Sequence, residues 1–253
     1  MHGKKKQTSW GNVAEWYEGM LKQEGTYQKE LILPNLLRLM EIEKGEVILD
    51  VACGPGFFAR EFFKKSAKVI GADISGELIK LARENSPTEI EYNVAPADNL
   101  GFLKRESVDK ITIVLALQNI ENAKDTLSEC ARVLKKDGKL FLVLNHPAFR
   151  IPKESEWGWD EERKVRYRRI DRYISELQTK IQMHPGDAPE KYTLSFHRPL
   201  QFYFKALQKA GFRVSRLEEW TSHKESESGP RKAAEDMARK EIPLFLFLEA
   251  TKT

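Results

Sequence analysis

The sequence predicts an α/β fold built on a doubly wound, seven-stranded and mostly parallel sheet. Short apolar runs alternate with amphipathic stretches of helical period, and the brief links between them are typical of right-handed βαβ crossovers. The 253 residues, 41% of them hydrophobic, suffice for one such domain with an insertion or a small cap. The predicted strands are Val47–Val51, Lys68–Ala72, Ile90–Val94, Lys110–Leu117, Lys139–Asn145, Arg213–Glu218 and Leu244–Ala250. The predicted helices are about Val13–Leu21, Gln28–Met40, Phe57–Lys65, Gly76–Asn85, Ala123–Leu134, Pro199–Ala210 and Arg231–Lys240.

Start and stop signals support these elements along the chain. Leu31, Ile32 and Leu36 fall at helical spacing in the second predicted helix. Gly138 ends a K-D-G turn before the fifth strand. Pro199 opens a later helix and Gly211 follows its end, the usual placement of these two residue types. We therefore divide the chain into an N-terminal helical cap (1–42), a core (43–146), an insertion (147–198) and a segment that completes the sheet (199–253).

The insertion is rich in charged and aromatic residues and breaks the alternation of strands and helices. Apolar residues alternate with polar ones over 177–183 and again over 192–196, on either side of a turn-rich H-P-G-D. This pattern favours a hairpin, although Ile170, Tyr173, Ile174 and Leu177 also fit a helix. Six of the ten residues 163–172 are basic, which suits either RNA binding or a salt-bridged lid with the neighbouring acids. We favour the lid.

Composition limits the possible environments and partners. The net charge of +4 is compatible with an anionic substrate or RNA and requires neither. The lysines at 4–6 are read as a solvated tail. Two cysteines, Cys53 and Cys130, indicate a reducing compartment. The absence of a signal peptide and of any long apolar run predicts a cytoplasmic protein without a membrane segment, while oligomeric state is not readable.

The most specific motif is V-I-L-D-V-A-C-G-P-G, in which a strand bearing Asp50 runs into a glycine turn. Gly54 and Gly56 allow a backbone path and a close ligand approach that a Cβ would obstruct. In open α/β sheets, ligands bind at this carboxyl end of the strands. The D-x-A-C-G-x-G pattern resembles motif I of the class I S-adenosylmethionine-dependent methyltransferases of the type 11/25 domain family. The resemblance covers 10–146 with specific motifs and 199–253 by architecture, where it implies an antiparallel last strand between the fifth and sixth.

The resemblance implies that S-adenosylmethionine is the cofactor and that its contacts lie at the ends of four strands. Asp73 would hold the ribose hydroxyls while Ile74 packs on the adenine. Asp98 would accept the adenine amino proton, with the backbone of Ala97 beside it. W-G-N-V-A-E-W-Y resembles the helix that caps the methionine end, with Tyr17 the main contact and Trp10 and Tyr27 behind it. The full predicted cofactor set is Tyr17, Asp50, Ala52, Gly54, Gly56, Asp73, Ile74, Ala97, Asp98, Leu115 and Gln118, without metal ligands.

Two histidines are candidates for the chemical step. Methyl transfer from a sulfonium needs the nucleophile close and in line, and a base only when the acceptor carries a proton. His146 ends the fifth strand and His197 precedes the helix after the insertion, and a neutral imidazole suits deprotonation of a hydroxyl near pH 7. Both could equally be structural. The expected acceptor is the oxygen or nitrogen of a small molecule.

Three alternatives remain open. RNA is a less favoured acceptor, supported by the basic run. A nicotinamide-dependent oxidoreductase is remote, since G-P-G-F-F-A also fits G-x-G-x-x-A but Asp50 would repel a pyrophosphate. A protein that binds the cofactor without catalysis is the third. Cys53 and Cys130 lack the Pro-Cys context of a pyrimidine-methylating nucleophile and are read as small buried side chains.

Overall fold

The computed structural model describes residues 9–182 and 192–253. Within them, one sheet contains seven strands: β1 Val47–Val51, β2 Lys68–Asp73, β3 Glu91–Val94, β4 Val108–Val114, β5 Leu134–Asn145, β10 Phe212–Trp220 and β11 Phe245–Lys252. Their order in the sheet is β10-β11-β5-β4-β1-β2-β3, and β11 runs antiparallel to both of its neighbours. The class I arrangement with its antiparallel last strand is therefore confirmed.

Helices cover both faces of this sheet and bury its apolar strands. They are α1 Ala14–Lys22, α2 Leu33–Met40, α3 Phe57–Lys64, α4 Gly76–Glu84, α5 Ala123–Val133, α6 Leu200–Lys209 and α7 Lys232–Glu241. A 3₁₀ turn at Ser9–Val13 precedes α1, and a π-helical turn at Gln28–Ile32 leads into α2. One core cluster lies around Leu49, Ile111 and Leu142, and the other around Ile48, Phe62 and Phe247. Because these strands are buried on both faces, their sequences are almost continuously apolar.

The insertion forms two antiparallel hairpins. The second, β8 Leu177–Gln182 with β9 Tyr192–His197, is the predicted hairpin, so the helical alternative for Leu177 is wrong. Its predicted turn lies outside the described residues, as do the lysines at 4–6. The first hairpin, β6 Ser155–Asp160 with β7 Val165–Ile170, was not expected.

The fourth strand is shorter than predicted. It ends at Val114 rather than at residue 117, because Leu115 adopts a left-handed conformation with φ 53°. A 3₁₀ turn, Leu117–Asn119, follows and redirects the chain across the edge of the sheet. None of the described helices is long and apolar enough to cross a membrane.

Candidate active site

A cavity of about 360 Å³ opens at the carboxyl ends of β1, β2 and β4. The N-terminal helix, the glycine turn and the second hairpin enclose it. Nine of the predicted cofactor residues line it: Tyr17, Asp50, Ala52, Gly54, Asp73, Ile74, Ala97, Asp98 and Leu115. Gly56, Gln118, His146 and His197 are not among the lining residues.

The glycine turn has two positions with different physical tasks. Gly54 (φ 55°) lines the cavity, and a Cβ there would make an ordinary van der Waals contact with the Tyr17 ring at 3.6 Å. Gly56 (φ 80°) precedes α3, and a Cβ there would overlap the hydroxyl of Tyr92. Gly54 thus leaves room for a ligand, whereas Gly56 leaves room for the packing of Tyr92. Ala52 also takes a positive φ (55°), which costs an alanine of order 1–2 kcal/mol.

Asp73, at the end of β2, is fixed by two backbone amides. Its Oδ2 accepts from the Gly54 N–H (3.0 Å) and its Oδ1 from the Ser75 N–H (2.9 Å). Burial raises the pKa of Asp73, and these hydrogen bonds partly offset the rise. Each carboxylate oxygen has two lone pairs, so Asp73 keeps acceptor capacity toward the cavity. Ser75, not Asp73, caps α4, as its hydroxyl accepts from the Leu78 N–H.

Asp50, at the end of β1, is a second buried carboxyl group in the cavity wall. The Thr112 hydroxyl, on the paired position of β4, donates to Asp50 Oδ1 over 2.8 Å. Asp50 Oδ2 is buried and has no hydrogen-bond partner among the described residues. Burial raises the pKa of Asp50 from 3.8 to about 7; Thr112 opposes the rise and the nearby Asp73 adds to it. A buried carboxylate oxygen without a partner is costly unless a ligand supplies a cation or a donor.

The N-terminal helix places aromatic side chains over this wall. Tyr17, Trp10 and Leu21 all line the cavity, and the rings of Trp10 and Tyr17 meet edge to face with centroids 5.2 Å apart. Burial, and then the charge of Asp73, raise the pKa of Tyr17 to about 12, so its hydroxyl stays protonated and can donate. Tyr27 lies elsewhere, hydrogen-bonded to Ser222 (3.0 Å) and packed on Phe245.

The loops after β3 and β4 form the opposite wall. Asp98 accepts from the Asn122 side chain over 2.7 Å, so the two cavity residues orient each other. Asn119 lines the cavity, whereas Gln118 is buried and turns back to donate to the Leu115 carbonyl (2.8 Å). The polar exit of the fourth strand predicted from sequence therefore reaches the cavity through Asn119.

The second hairpin supplies the remaining wall. Thr193, Leu194 and Phe196 of β9 line the cavity. Arg198, directly after β9, is 4% exposed and donates to the carbonyls of Leu117 (3.3 Å), Ile120 (2.9 Å) and Glu121 (2.8 Å). These bonds fasten the hairpin to the loop after β4.

Both candidate histidines are buried and engaged in structural hydrogen bonds. His146 Nδ1 accepts from the Ala148 N–H (3.2 Å), which leaves the ring proton on Nε2, 2.8 Å from Glu219. His197 Nε2 donates to the Tyr173 carbonyl over 2.7 Å. Burial lowers the pKa of both rings, partly opposed by these partners. The neutral forms are therefore favoured, but neither ring belongs to the cavity wall.

The basic run of the insertion is extensively paired. Arg166 contacts Glu235 (3.4 Å), Arg169 contacts Asp171 (2.7 Å) and Arg172 contacts Glu154 (3.9 Å). The guanidinium groups of Arg166 and Arg168 also lie over the Trp157 ring, 4.8 and 5.3 Å from its centroid. This geometry is that of a salt-bridged surface, and no residue of the run is among those that line the cavity.

Sequence reasoning missed two residues that organise the site. Thr112 is the one hydroxyl in the apolar strand K-I-T-I-V, next to the strand that bears Asp50, and strand pairing could have signalled it. Arg198 follows His197 directly, but its partners lie about 80 positions earlier in the chain, and no local pattern indicates them.

Comparison with known proteins identifies the fold's family. Residues 49–142 match the model of the methyltransferase domain. The solved S-adenosylmethionine-dependent methyltransferase from Mesorhizobium loti superposes with a TM-score of 0.69 at 28% identity, covering 86% of this chain and 96% of that one. Residues 49–142 therefore carry a methyltransferase domain within a class I fold. The protein from Mesorhizobium loti is an S-adenosylmethionine-dependent enzyme, which agrees with the cofactor that the motif resemblance implied.

Curated relatives of the methyltransferase domain differ in the pathways that they serve. The ubiquinone biosynthesis O-methyltransferase of Xanthomonas oryzae pv. oryzae is 33% identical over 101 residues, 39% of this chain and 42% of that relative. The biotin biosynthesis bifunctional protein BioHC of Cellvibrio japonicus is 30% identical over 110 residues, 44% of this chain and 22% of that one. The chain thus spans less than half the length of these relatives. Because the chain is similarly identical to both relatives, the matched core identifies the type of domain and does not identify the acceptor.

Proposed function

We propose that the chain is a methyltransferase that moves the methyl group of S-adenosylmethionine to an oxygen or nitrogen of a small-molecule acceptor. The observation that carries this proposal is Asp50 Oδ2, a buried carboxylate oxygen without a partner in the wall of a cavity beside Gly54. An ammonium group is a suitable partner for it. When bound, the cofactor would supply an electrophilic methyl group on a sulfonium.

Each cofactor contact in the proposal rests on a described environment. Asp73, held by two amides, would accept from the ribose hydroxyls, and Ile74 would pack on the adenine. Asp98 and the backbone of Ala97 would receive the adenine amino group. Tyr17 and Asp50 would hold the methionine end, with Ala52 and Leu115 shaping the floor. Gly56 and Gln118 would act indirectly, through the packing of Tyr92 and the turn at Leu115.

We propose that the second hairpin is a lid over the acceptor. Thr193, Leu194 and Phe196 lie in the cavity wall, and Arg198 holds their strand to the loop after β4. A roofed cavity favours a small acceptor over a polynucleotide. The pairing of the basic run with neighbouring acids weakens the support for RNA. Two buried free thiols, Cys53 and Cys130, suit the proposed cytoplasmic location.

In this proposal catalysis comes mostly from positioning. His197 would act through the lid, because its hydrogen bond to the Tyr173 carbonyl ties β9 to the segment before β8. His146 would stabilise the end of β5 through Glu219. Holding acceptor and methyl in line within about 3–3.5 Å can supply much of the rate enhancement.

Calorimetry and labelled transfer together test the function. The chain should bind S-adenosylmethionine and its demethylated product, and Asp125→Asn, on the exposed first turn of α5, should bind as well as wild type. Methyl-tritiated donor is then offered with a small-molecule cell extract and, separately, with tRNA and rRNA at low and moderate salt. Label in the small-molecule reaction supports the proposal. Absence of cofactor binding refutes the proposal. Label in RNA alone would mean that the acceptor is RNA and not a small molecule.

A further inference from the structure

We propose that the acceptor is an uncharged or cationic small molecule with an apolar body, and not a carboxylate or phosphate. This inference rests on the methyl transfer proposed above and adds to it the charge of the substrate. It departs from the expectation, based on net charge, that an anion is a compatible substrate. The acceptor end of the cavity is the part of its wall that lies away from the ends of β1 and β2.

This acceptor end is formed by the loop after β4 and by β9. Ile120 contributes from the loop, and Leu194 and Phe196 contribute from the hairpin. Their side chains are half-buried and present aliphatic and aromatic surface to the cavity. Such a wall recognises an apolar body through burial and ring contacts.

The ionisable side chains of the cavity wall are acidic. Asp50, Asp73 and Asp98 line the inner part and Glu121 lines the mouth, whereas no lysine, arginine or histidine is found among the described lining residues. An acceptor carboxylate or phosphate would therefore be buried beside these acidic groups, with no cationic side chain among the described lining residues to compensate it.

Arg198 is the basic residue that adjoins the acceptor wall, and its guanidinium is already committed. It donates to three carbonyl oxygens, those of Leu117, Ile120 and Glu121. Its planar group also lies against the rings of Phe196 and Phe202, 5.1 and 5.0 Å from their centroids. Binding an anion would require it to give up these partners. Arg198 therefore builds the wall and contributes no anion site.

The test separates acceptors by charge before the reaction, because methylation of a carboxylate would itself remove the charge. A small-molecule extract of the cells that carry this chain is ultrafiltered and divided by ion exchange at neutral pH into anionic, uncharged and cationic pools. Each pool is incubated with the full chain and methyl-tritiated S-adenosylmethionine. We expect labelled products from the uncharged or cationic pool, and only background from the anionic pool.

Charge reversal at Glu121, in the mouth of the cavity, provides a variant that tests the inference, and the same reversal at an exposed site provides its control. Glu121→Lys should reduce transfer to a cationic acceptor severalfold more than transfer to an uncharged acceptor, and this difference should shrink at high salt. Glu89→Lys, the same reversal at an exposed site before β3 and outside the cavity wall, should match wild type. Labelling chiefly from the anionic pool overturns the inference while leaving methyl transfer intact. A chain that binds the cofactor but labels nothing in any pool overturns the proposed function and this inference with it.

Discussion

Replacing Asp50 with asparagine should stabilise the cofactor-free chain and weaken cofactor binding. Asp50 is 2% exposed, and burial raises its pKa from 3.8 to about 7. At about 1.36 kcal/mol per pKa unit, keeping Asp50 ionised at pH 8 costs the folded state about 4 kcal/mol. This figure is an upper value for the stability gained by Asp50→Asn, because burying the asparagine amide also has a cost. We expect Asp50→Asn to raise the free energy of unfolding by about 2–4 kcal/mol, which for a chain of this size is a rise of several degrees in Tm.

The pH dependence has a defined sign. Between the unfolded pKa of 3.8 and the folded value of about 7, the folded chain holds the proton and the unfolded chain has lost it. The stability of the wild type therefore falls as pH rises through this window, and the advantage of Asp50→Asn grows with it. Near pH 4.5 the advantage should shrink to about 1 kcal/mol.

The measurement is urea denaturation of both proteins without cofactor at pH 4.5, 6 and 8, followed by calorimetry with S-adenosylmethionine. The variant should bind the cofactor about 10–100-fold more weakly, because it lacks a charge-assisted contact. Asp125→Asn serves as the exposed control, with no expected change in either quantity. A variant less stable than wild type at pH 8, or one that binds as tightly, would refute the assignment of Asp50 as a strained carboxylate held for a cationic ligand.

Four further substitutions separate binding, packing and lid functions. Asp73→Ala should weaken cofactor binding by about 1.5–3 kcal/mol in calorimetry, and unchanged affinity would remove it from the ribose role. Gly56→Ala should lower the free energy of unfolding by at least about 2 kcal/mol, because the added Cβ meets Tyr92. Gly54→Ala should lower the free energy of unfolding by about 1 kcal/mol and should mainly reduce cofactor affinity. Equal effects of the two variants in denaturation and in calorimetry would contradict this division. His197→Ala should lower kcat with cofactor affinity nearly intact, and its pH–rate profile should keep the wild-type shape because the ring does not line the cavity; loss of one limb would show that the imidazole is the base.

Local sequence patterns were sufficient to predict β1 and the glycine turn that follows it. β1 was predicted with correct bounds, since an apolar run followed by the glycine turn is a purely local signal. The predicted end of the fourth strand was wrong because Leu115, a non-glycine residue, adopts a positive φ. A leucine carries no sequence signal for that conformation. Tertiary contacts impose it, including the hydrogen bond from the Leu115 N–H to the Val143 carbonyl.

The first hairpin was missed because its stabilisation does not come from an apolar face. On β6 and β7 the cross-strand contacts join unlike residues: Trp157 lies under Arg166 and Arg168, and Gly158 lies opposite Tyr167, whose ring covers the space that a Cβ would fill. Stacking of cations on aromatics produces no alternation of hydrophobic and polar residues. The charge-rich sequence therefore resembles a solvated surface.

The charge of the acceptor could not be predicted from the sequence for a related reason. Net charge is a sum over the whole surface, and at +4 it is compatible with an anionic acceptor without requiring one. The structure separates the two signs: arginines such as Arg166 and Arg169 are paired on the outside of the insertion, whereas Asp50, Asp73 and Asp98 converge at one sheet edge. Because screening limits exposed charges to about 8–10 Å, the local carboxylates and not the distant arginines set the potential that a bound acceptor experiences. Substrate charge in this fold thus follows from which side chains the β4 loop and β9 bring to the cavity, a property that depends on long-range contacts like those of Arg198.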